Sequence, residues 1–252
     1  MGLGVYKVAE SATEALVAGA IEAGYRHIDT ATLYGNERGV GAGVRVSGVP
    51  REDVFVTTKV WNNEQGRDKT LRAFDTSLGK LGFDYVDLYL IHWPMPSQGL
   101  FLETWRTLEE LKADGRARSI GVSNFEPHHL EVLLRETDTV PAANQVELHP
   151  WLPQRAVREY DEAHGIVTES WSPLARGRVA DEPVLERIAA KHGKTAAQVT
   201  IRWHLQLGAV VIPKSSSLER VRGNFDVFDF ELDADDLAAI DALDDGYRTG
   251  PH

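Results

Sequence analysis

Val54-Phe55-Val56-Thr57-Thr58-Lys59 is a β-branched run closed by a lysine. Leu71, Phe74, Leu78 and Leu81 then recur at helical spacing up to Gly82, and Tyr85-Val86-Asp87-Leu88-Tyr89-Leu90-Ile91 is again an apolar run of strand length. Strand, helix and strand within forty residues is the signature of a parallel β/α repeat. Toward the N-terminus, Ser11-Ala12-Thr13-Glu14 has capping-box spacing ahead of the stripe Leu16, Val17, Ala20 and Ile21. Gly24 ends that helix, and Tyr25-Arg26-His27-Ile28-Asp29 reads as a strand. Toward the C-terminus the alternation continues. A helix carrying Trp105, Leu108 and Leu111 closes near Gly115, the strand Ser119–Val122 follows, and Leu130–Leu134 lies on a helix. Short strands are expected at Ala143–Glu147 and Ile166–Ser170, a helix at Ala196–Leu207, and a last strand at Ala209–Ile212. With Gly4-Val5-Tyr6-Lys7 as the first strand, the count reaches roughly eight units, the number that closes a parallel barrel. The expected fold is therefore an α/β (β/α)8 TIM barrel. An open doubly wound sheet shows the same alternation, but no strand here is followed by the G-x-G-x-x-G turn such a sheet uses for a dinucleotide.

The chain has 252 residues, 42% of them hydrophobic, which suffices for one large core, and α/β barrels of about this length fold as one domain. One domain over residues 1–252 is expected. There is no low-complexity tract, Pro/Gly linker or fixed-period repeat. No apolar run is long enough to cross a bilayer, and Met1-Gly2-Leu3-Gly4-Val5 is not a basic-then-apolar leader. Zero cysteines exclude disulfides, thiolate metal sites and a thiol nucleophile. Together these favour the cytoplasm. A net charge of −11 argues against general nucleic-acid binding, because phosphates would be repelled. Within so acidic a chain, a local cluster of cations carries more information than it would in a basic one.

In such barrels polar residues at strand C-termini face the active-site mouth. Several units end in a polar or aromatic group of this kind: Asp29, Lys59, His92, Asn124, Gln145, Trp171 and Lys214. Taken singly, each has a structural reading. Asp29 and Lys59 could be an ion pair filling the mouth, Tyr34 beside Gly35 a packing residue, and His92 a hydrogen-bonded structural histidine.

Six segments, in order, resemble the aldo-keto reductase family, and the similarity runs along essentially the whole chain. They are Gly24–Ala31 with Tyr34-Gly35-Asn36-Glu37; Thr57-Thr58-Lys59-Val60-Trp61; Leu90-Ile91-His92-Trp93-Pro94; Gly121-Val122-Ser123-Asn124-Phe125; Asn144–Pro150; and Ile212-Pro213-Lys214-Ser215. The nearest flavour is the prokaryotic branch of 2,5-diketo-gluconic acid and methylglyoxal reductases. The resemblance implies NADPH-dependent reduction of aldehydes and ketones, with a catalytic tetrad of Asp29, Tyr34, Lys59 and His92. Small aldehydes and α-dicarbonyls are expected as substrates, with keto-sugar acids as a further class. Hydride delivery to a carbonyl carbon leaves a developing alkoxide, which needs a proton donor and a polarising environment. Tyr34 would donate the proton, Lys59 would favour the phenolate, Asp29 would hold Lys59, and His92 would orient the carbonyl. No metal is required, and no His/Asp/Glu grouping has ligand spacing.

For the cofactor, the resemblance assigns the nicotinamide carboxamide to Ser123, Asn124 and Gln145, and ring stacking to Trp171. Ser172 and Leu174 would line the pyrophosphate path, although Ser172-Pro173-Leu174 equally reads as an ordinary turn. Lys214, Ser215, Ser217 and Arg220 would surround the 2′-phosphate, with Asn224 near adenine, so NADPH is expected over NADH. Family members often carry Glu immediately before that Asn, where this chain has Gly223. Tyr6, Trp61 and Trp93 would wall the substrate pocket with Trp171, and the loop Pro94–Leu100 would rim it.

Relatives usually begin with a hairpin under the barrel and end with a tail over the site, whereas this sequence starts close to the first strand and stops at Gly246–His252. A shorter final loop would open the pocket and broaden its substrate range. A monomer acting on small molecules, without nucleic acid or membrane, is the expectation. Two other functions fit the barrel: a Schiff-base lyase using Lys59, and an NADPH-binding sensor with little turnover.

Overall fold

The structure, a computed structural model, describes residues 1–250; Pro251 and His252, the last residues of the expected domain, lie outside the described residues. The first half runs β1 (Leu3–Gly4), α1 (Glu10–Glu22), β2 (His27–Asp29), α2 (Glu37–Val46), β3 (Phe55–Val60), α3 (Arg67–Leu81), β4 (Val86–Ile91) and α4 (Phe101–Ala113). The second half runs β5 (Ala117–Ser123), α5 (Pro127–Glu136), β6 (Ala143–Glu147), α6 (Arg155–Ala163), β7 (Val167–Trp171), α7 (Pro183–His192), α8 (Ala196–Gln206), β8 (Val210–Val211), α9 (Leu218–Phe225) and α10 (Ala234–Asp241). The eight strands pair in sequence order, every pair parallel. Gly2 N donates to Val211 O at 2.8 Å and Gly4 bridges Lys214, so the last strand meets the first and the (β/α)8 barrel closes.

Strand β4 shows how sequence becomes layer. All six of its residues are buried, because a barrel strand has helices on one side and the barrel interior on the other. Tyr89 and Ile91 pack outward with Phe74 and Trp105 of the flanking helices. The alternate residues Leu88 and Leu90 form a separate small cluster with Ala143. A second large core, with Trp151, Leu185, Val199, Trp203 and Ile240, seals the β6–β8 side. One close approach requires glycine: a Cβ on Gly41 would lie 1.8 Å from Leu81 O, so any side chain there would push α2 off the end of α3.

Two expectations are corrected. Ser11 is not a helix cap, because α1 starts at Glu10 with Ala9 at its N-cap. Thr13 is fully buried, faces Gly39 of α2, and spends its hydroxyl on Ala9 O at 2.9 Å, so interhelix packing fixes the helix start. The first strand is Leu3–Gly4 rather than Gly4–Lys7, because Lys7 turns the chain with φ 56° and Val8 N bonds back to Val5 O. Elsewhere observed ends differ from expected ones by a residue or two. Among the described residues no helix is long and apolar enough to cross a membrane.

Candidate active site

The expected strand-end residues converge on the C-terminal face. Asp29 ends β2, Lys59 lies one residue before the end of β3, and His92 follows β4 directly. Lys59 is fully buried, and its Nζ donates to Asp29 Oδ1 at 2.7 Å, Asp29 Oδ2 at 2.8 Å and Thr30 O at 2.8 Å. Three N–H bonds are all an ammonium can make, so this group is a fixed cation. Burial would discharge it, but the Asp29 carboxylate, with Tyr34 and Glu169 behind it, outweighs that and raises its pKa. A Schiff-base role needs a free neutral amine, and this geometry withholds one.

Tyr34 ends a single turn of 3-10 helix, Thr32–Tyr34, whose Thr32 hydroxyl donates to Lys59 O at 2.9 Å. Its ring centroid lies 5.1 Å from Lys59 Nζ and 5.9 Å from the His92 ring. Burial pushes the phenol up to about 12 while Lys59 pulls it down and Asp29 pushes it further up. The lowering expected from Lys59 is therefore present as a direction but outweighed by desolvation, and Tyr34 stays a protonated donor near neutrality. Burial, then the Lys59 charge, hold the His92 imidazolium well below the ordinary histidine value, so the ring is neutral. Its Nδ1 is buried without a partner among the described residues, and its ring packs edge-on against Trp61 at 4.9 Å.

Asn36, which lay unremarked inside a quoted segment, fastens this corner. Its side-chain amide donates to Val5 O at 2.8 Å and Val8 O at 3.1 Å and accepts from Thr30 Oγ1 at 2.7 Å. The loop carrying Tyr6 is thereby tied to the loop carrying Tyr34, and the two rings sit 5.0 Å apart. Trp61 and Trp93 are half-buried beside His92, and Tyr6 is exposed.

The amide array is also contiguous. Asn124, in the left-handed region at φ 63°, donates from Nδ2 to His92 O and Ser123 Oγ, both at 3.0 Å. Its Oδ1 accepts the Trp171 indole N–H at 2.9 Å, and Ser123 Oγ donates to Gln145 O at 2.7 Å. Gln145 Nε2 donates to Asp29 Oδ2 at 2.7 Å, so one strand-end amide reaches the carboxylate that holds Lys59. Ser172 follows Trp171 at φ 49°, while Leu174 turns partly into the second core.

At the far end of the mouth, Ser217 caps α9, and Ser215 Oγ accepts from Ser217 N at 3.1 Å and Arg220 Nε at 3.4 Å. Lys214 and Arg220 are exposed, and among the described residues neither has a carboxylate partner. Two unpaired cations and two hydroxyls at a helix N-terminus, in a chain of net charge −11, fit a dianionic phosphate. Asn224 is buried next to them, and a Cβ on Gly223 would meet nothing within 4 Å, so that departure leaves open space.

Glu169 was missed by the sequence reading. It sits on β7 opposite Gln145, 2% exposed, with His27 Nε2 3.7 Å away. Its signal was its register, two residues before Trp171 and hence on the same inward face. Burial, then the Asp29 charge, push its carboxyl up to about 8, against the opposing pull of Lys59, Gln145 and the Met1 amine; His27 stays neutral beside it. The unfolded chain ionises near 4.5 while the native state keeps the proton. Stability from this group is thus complete below 4.5 and is lost as pH rises through the native pKa near 8. Urea midpoints of Glu169→Gln should therefore gain on wild type across that window, and parallel pH curves would refute the assignment.

An eight-stranded parallel barrel with an Asp–Lys pair, a tyrosine and a histidine at its mouth, beside an amide array and a cationic helix start, has the layout of a nucleotide-dependent oxidoreductase. The chain belongs to the aldo/keto reductase family, whose family model matches residues 1–245. It is 53% identical to the glyoxal reductase of Bacillus subtilis over 253 residues, covering 100% of this chain and 91% of that protein. It is 49% identical to methylglyoxal reductase DkgA of Yersinia pestis, with the same coverage of both chains. The solved structure of a Gox0644 variant in complex with NADPH is 52% identical and superposes with a TM-score of 0.95, covering 99% of this chain and 91% of that one.

Proposed function

We propose that this chain reduces small aldehydes and α-dicarbonyls to alcohols with NADPH, using Tyr34 as proton donor. The observation that carries this reading is the buried Lys59–Asp29 pair 5.1 Å beneath the Tyr34 ring, with neutral His92 beside it. NADPH, when bound, supplies the hydride for the carbonyl carbon. Tyr34 transfers its phenolic proton to the oxygen, so the carbonyl gains one hydride and one proton and leaves as the alcohol. Lys59, fixed by Asp29, stabilises the tyrosinate left behind, and bulk solvent returns the proton. His92 orients the carbonyl oxygen from its other side as a neutral donor. Ser123, Asn124 and Gln145 offer amide and hydroxyl groups to the carboxamide, and Trp171 offers a flat face to the ring. Ser172 and Leu174 line the diphosphate path, and Asn224 lies beside the adenine position.

The aromatic walls from Tyr6, Trp61 and Trp93 suit short carbonyl compounds. In this reading the span 1–252 works as one domain, and the chain acts as a monomer in the cytoplasm without nucleic acid. NADPH consumption with methylglyoxal, phenylglyoxal, a benzaldehyde and a keto-sugar acid tests the activity; binding without turnover on any of them would instead favour a sensor.

Lys214, Ser215, Ser217 and Arg220 would hold the 2′-phosphate. A charged hydrogen bond contributes about 1.5–3 kcal/mol, so Arg220→Leu should raise KM for NADPH about 10–100-fold. NADH, lacking that phosphate, should be left within about twofold by the same change. Equal losses with both cofactors would place Arg220 outside the phosphate site.

A further inference from the structure

Glu147 is the last residue of β6 and pairs in register with Trp171, the last residue of β7. It is 1% exposed, and among the described residues no Lys or Arg pairs with it; His149 Nε2 lies 3.1 Å from its Oε1. Its remaining partners come from the far end of the chain. The main-chain N–H of Thr249 donates to Oε1 and that of Gly250 donates to Oε2 at 3.1 Å. Burial favours the neutral acid, but the bonds from His149, Thr249 and Gly250 overcome it and bring the carboxyl down to about 2. Upstream, Arg178 lies between the Trp151 and Tyr247 rings, at 4.3 and 4.5 Å, and pairs with Asp245 at 3.0 Å.

The anchored segment lands on the indole. A Cβ on Gly250 would lie 2.4 Å from Trp171 Cη2 and 3.2 Å from Glu147 Oε2, so the main chain there is seated against the ring edge. The opposite end of the same indole is tied by its N–H to Asn124 Oδ1 at 2.9 Å. We infer that Glu147 is a positioning residue: by binding the N–H groups of Thr249 and Gly250 it clamps the C-terminal segment onto Trp171 and fixes the ring plane offered to the nicotinamide. This rests on the reading of Trp171 as the stacking residue.

Glu147→Gln tests it, because the new amide NH2 would face an N–H donor and release one of the two bonds. Trypsin cleavage after half-buried Arg248, followed by intact mass, reads the clamp without cofactor. Cleavage should quicken about tenfold in the variant, because proteolysis tracks the population of the open form. Loss of one bond to a charged group should also raise the NADPH Kd about tenfold. The pH profile of kcat should keep its shape, since the tetrad is untouched. Gly250→Ala, which leaves Glu147 intact and pushes the segment off the ring, should reproduce both changes and covers the case in which Glu147→Gln fails to fold. Unchanged cleavage in both variants overturns the clamp; faster cleavage with wild-type NADPH affinity overturns its positioning role. A wild-type chain that ignores NADPH sinks the cofactor reading instead, and the cleavage arm still decides whether Glu147 holds the segment.

Discussion

Tyr34→Phe is expected to lower kcat for carbonyl reduction by about 10²–10⁴-fold while leaving NADPH affinity and folding near wild type. The substitution deletes one oxygen and keeps the ring contacts, with Tyr6 at 5.0 Å and His92 at 5.9 Å. With the phenol gone, His92 is the other titratable group facing the reacting oxygen, and its imidazole is neutral and a poor acid. Single-turnover oxidation of NADPH, followed at fixed pH beside equilibrium cofactor binding, separates the two quantities. A kcat within about threefold of wild type would remove Tyr34 from the chemistry.

Lys59→Met should be the most destabilising change at the site. It leaves Asp29, 2% exposed, with a negative charge whose remaining side-chain partner is Gln145. Removing one member of a buried pair costs about 3–5 kcal/mol, whereas removing both charges is often close to neutral. The double variant Asp29→Asn/Lys59→Met should therefore regain most of the lost urea stability and none of the activity. If the double variant unfolds as readily as the single, the pair is not what balances the buried charge. If it regains activity, Lys59 has no part in proton transfer.

Much of this was legible in the sequence, for definable reasons. Most barrel strands announce themselves as short apolar runs, and the more polar β6 was read with its observed ends, Ala143–Glu147, between Pro141 and Pro150. The first strand was misread because two residues carry little periodic signal, and Lys7 turns the chain by a left-handed conformation that a lysine does not advertise. That Asp29, Tyr34, Lys59 and His92 come together was legible through motif and strand-end placement; composition alone left the Asp29–Lys59 pair open. Glu169, Asn36 and Glu147 escaped for different physical reasons. A neutral buried acid looks like any glutamate on paper, Asn36 acts through main-chain carbonyls distant in sequence, and Glu147 finds its partners 102 and 103 residues further on. The dominance of burial over Lys59 at the Tyr34 phenol likewise depends on packing, which a list of charged neighbours does not reveal.

Asn36 gives the barrel mouth a shared hinge pin. Its amide spans the loop bearing Tyr6 and the loop bearing Tyr34, so the proposed pocket wall and the proposed proton donor are fastened to each other. Loop exchange intended to retune selectivity is better placed at Pro94–Leu100, where no such hydrogen bond to the Tyr34 loop exists among the described residues. On the Tyr6 side the same exchange would drag the acid out of line, and recognition and turnover would be lost together.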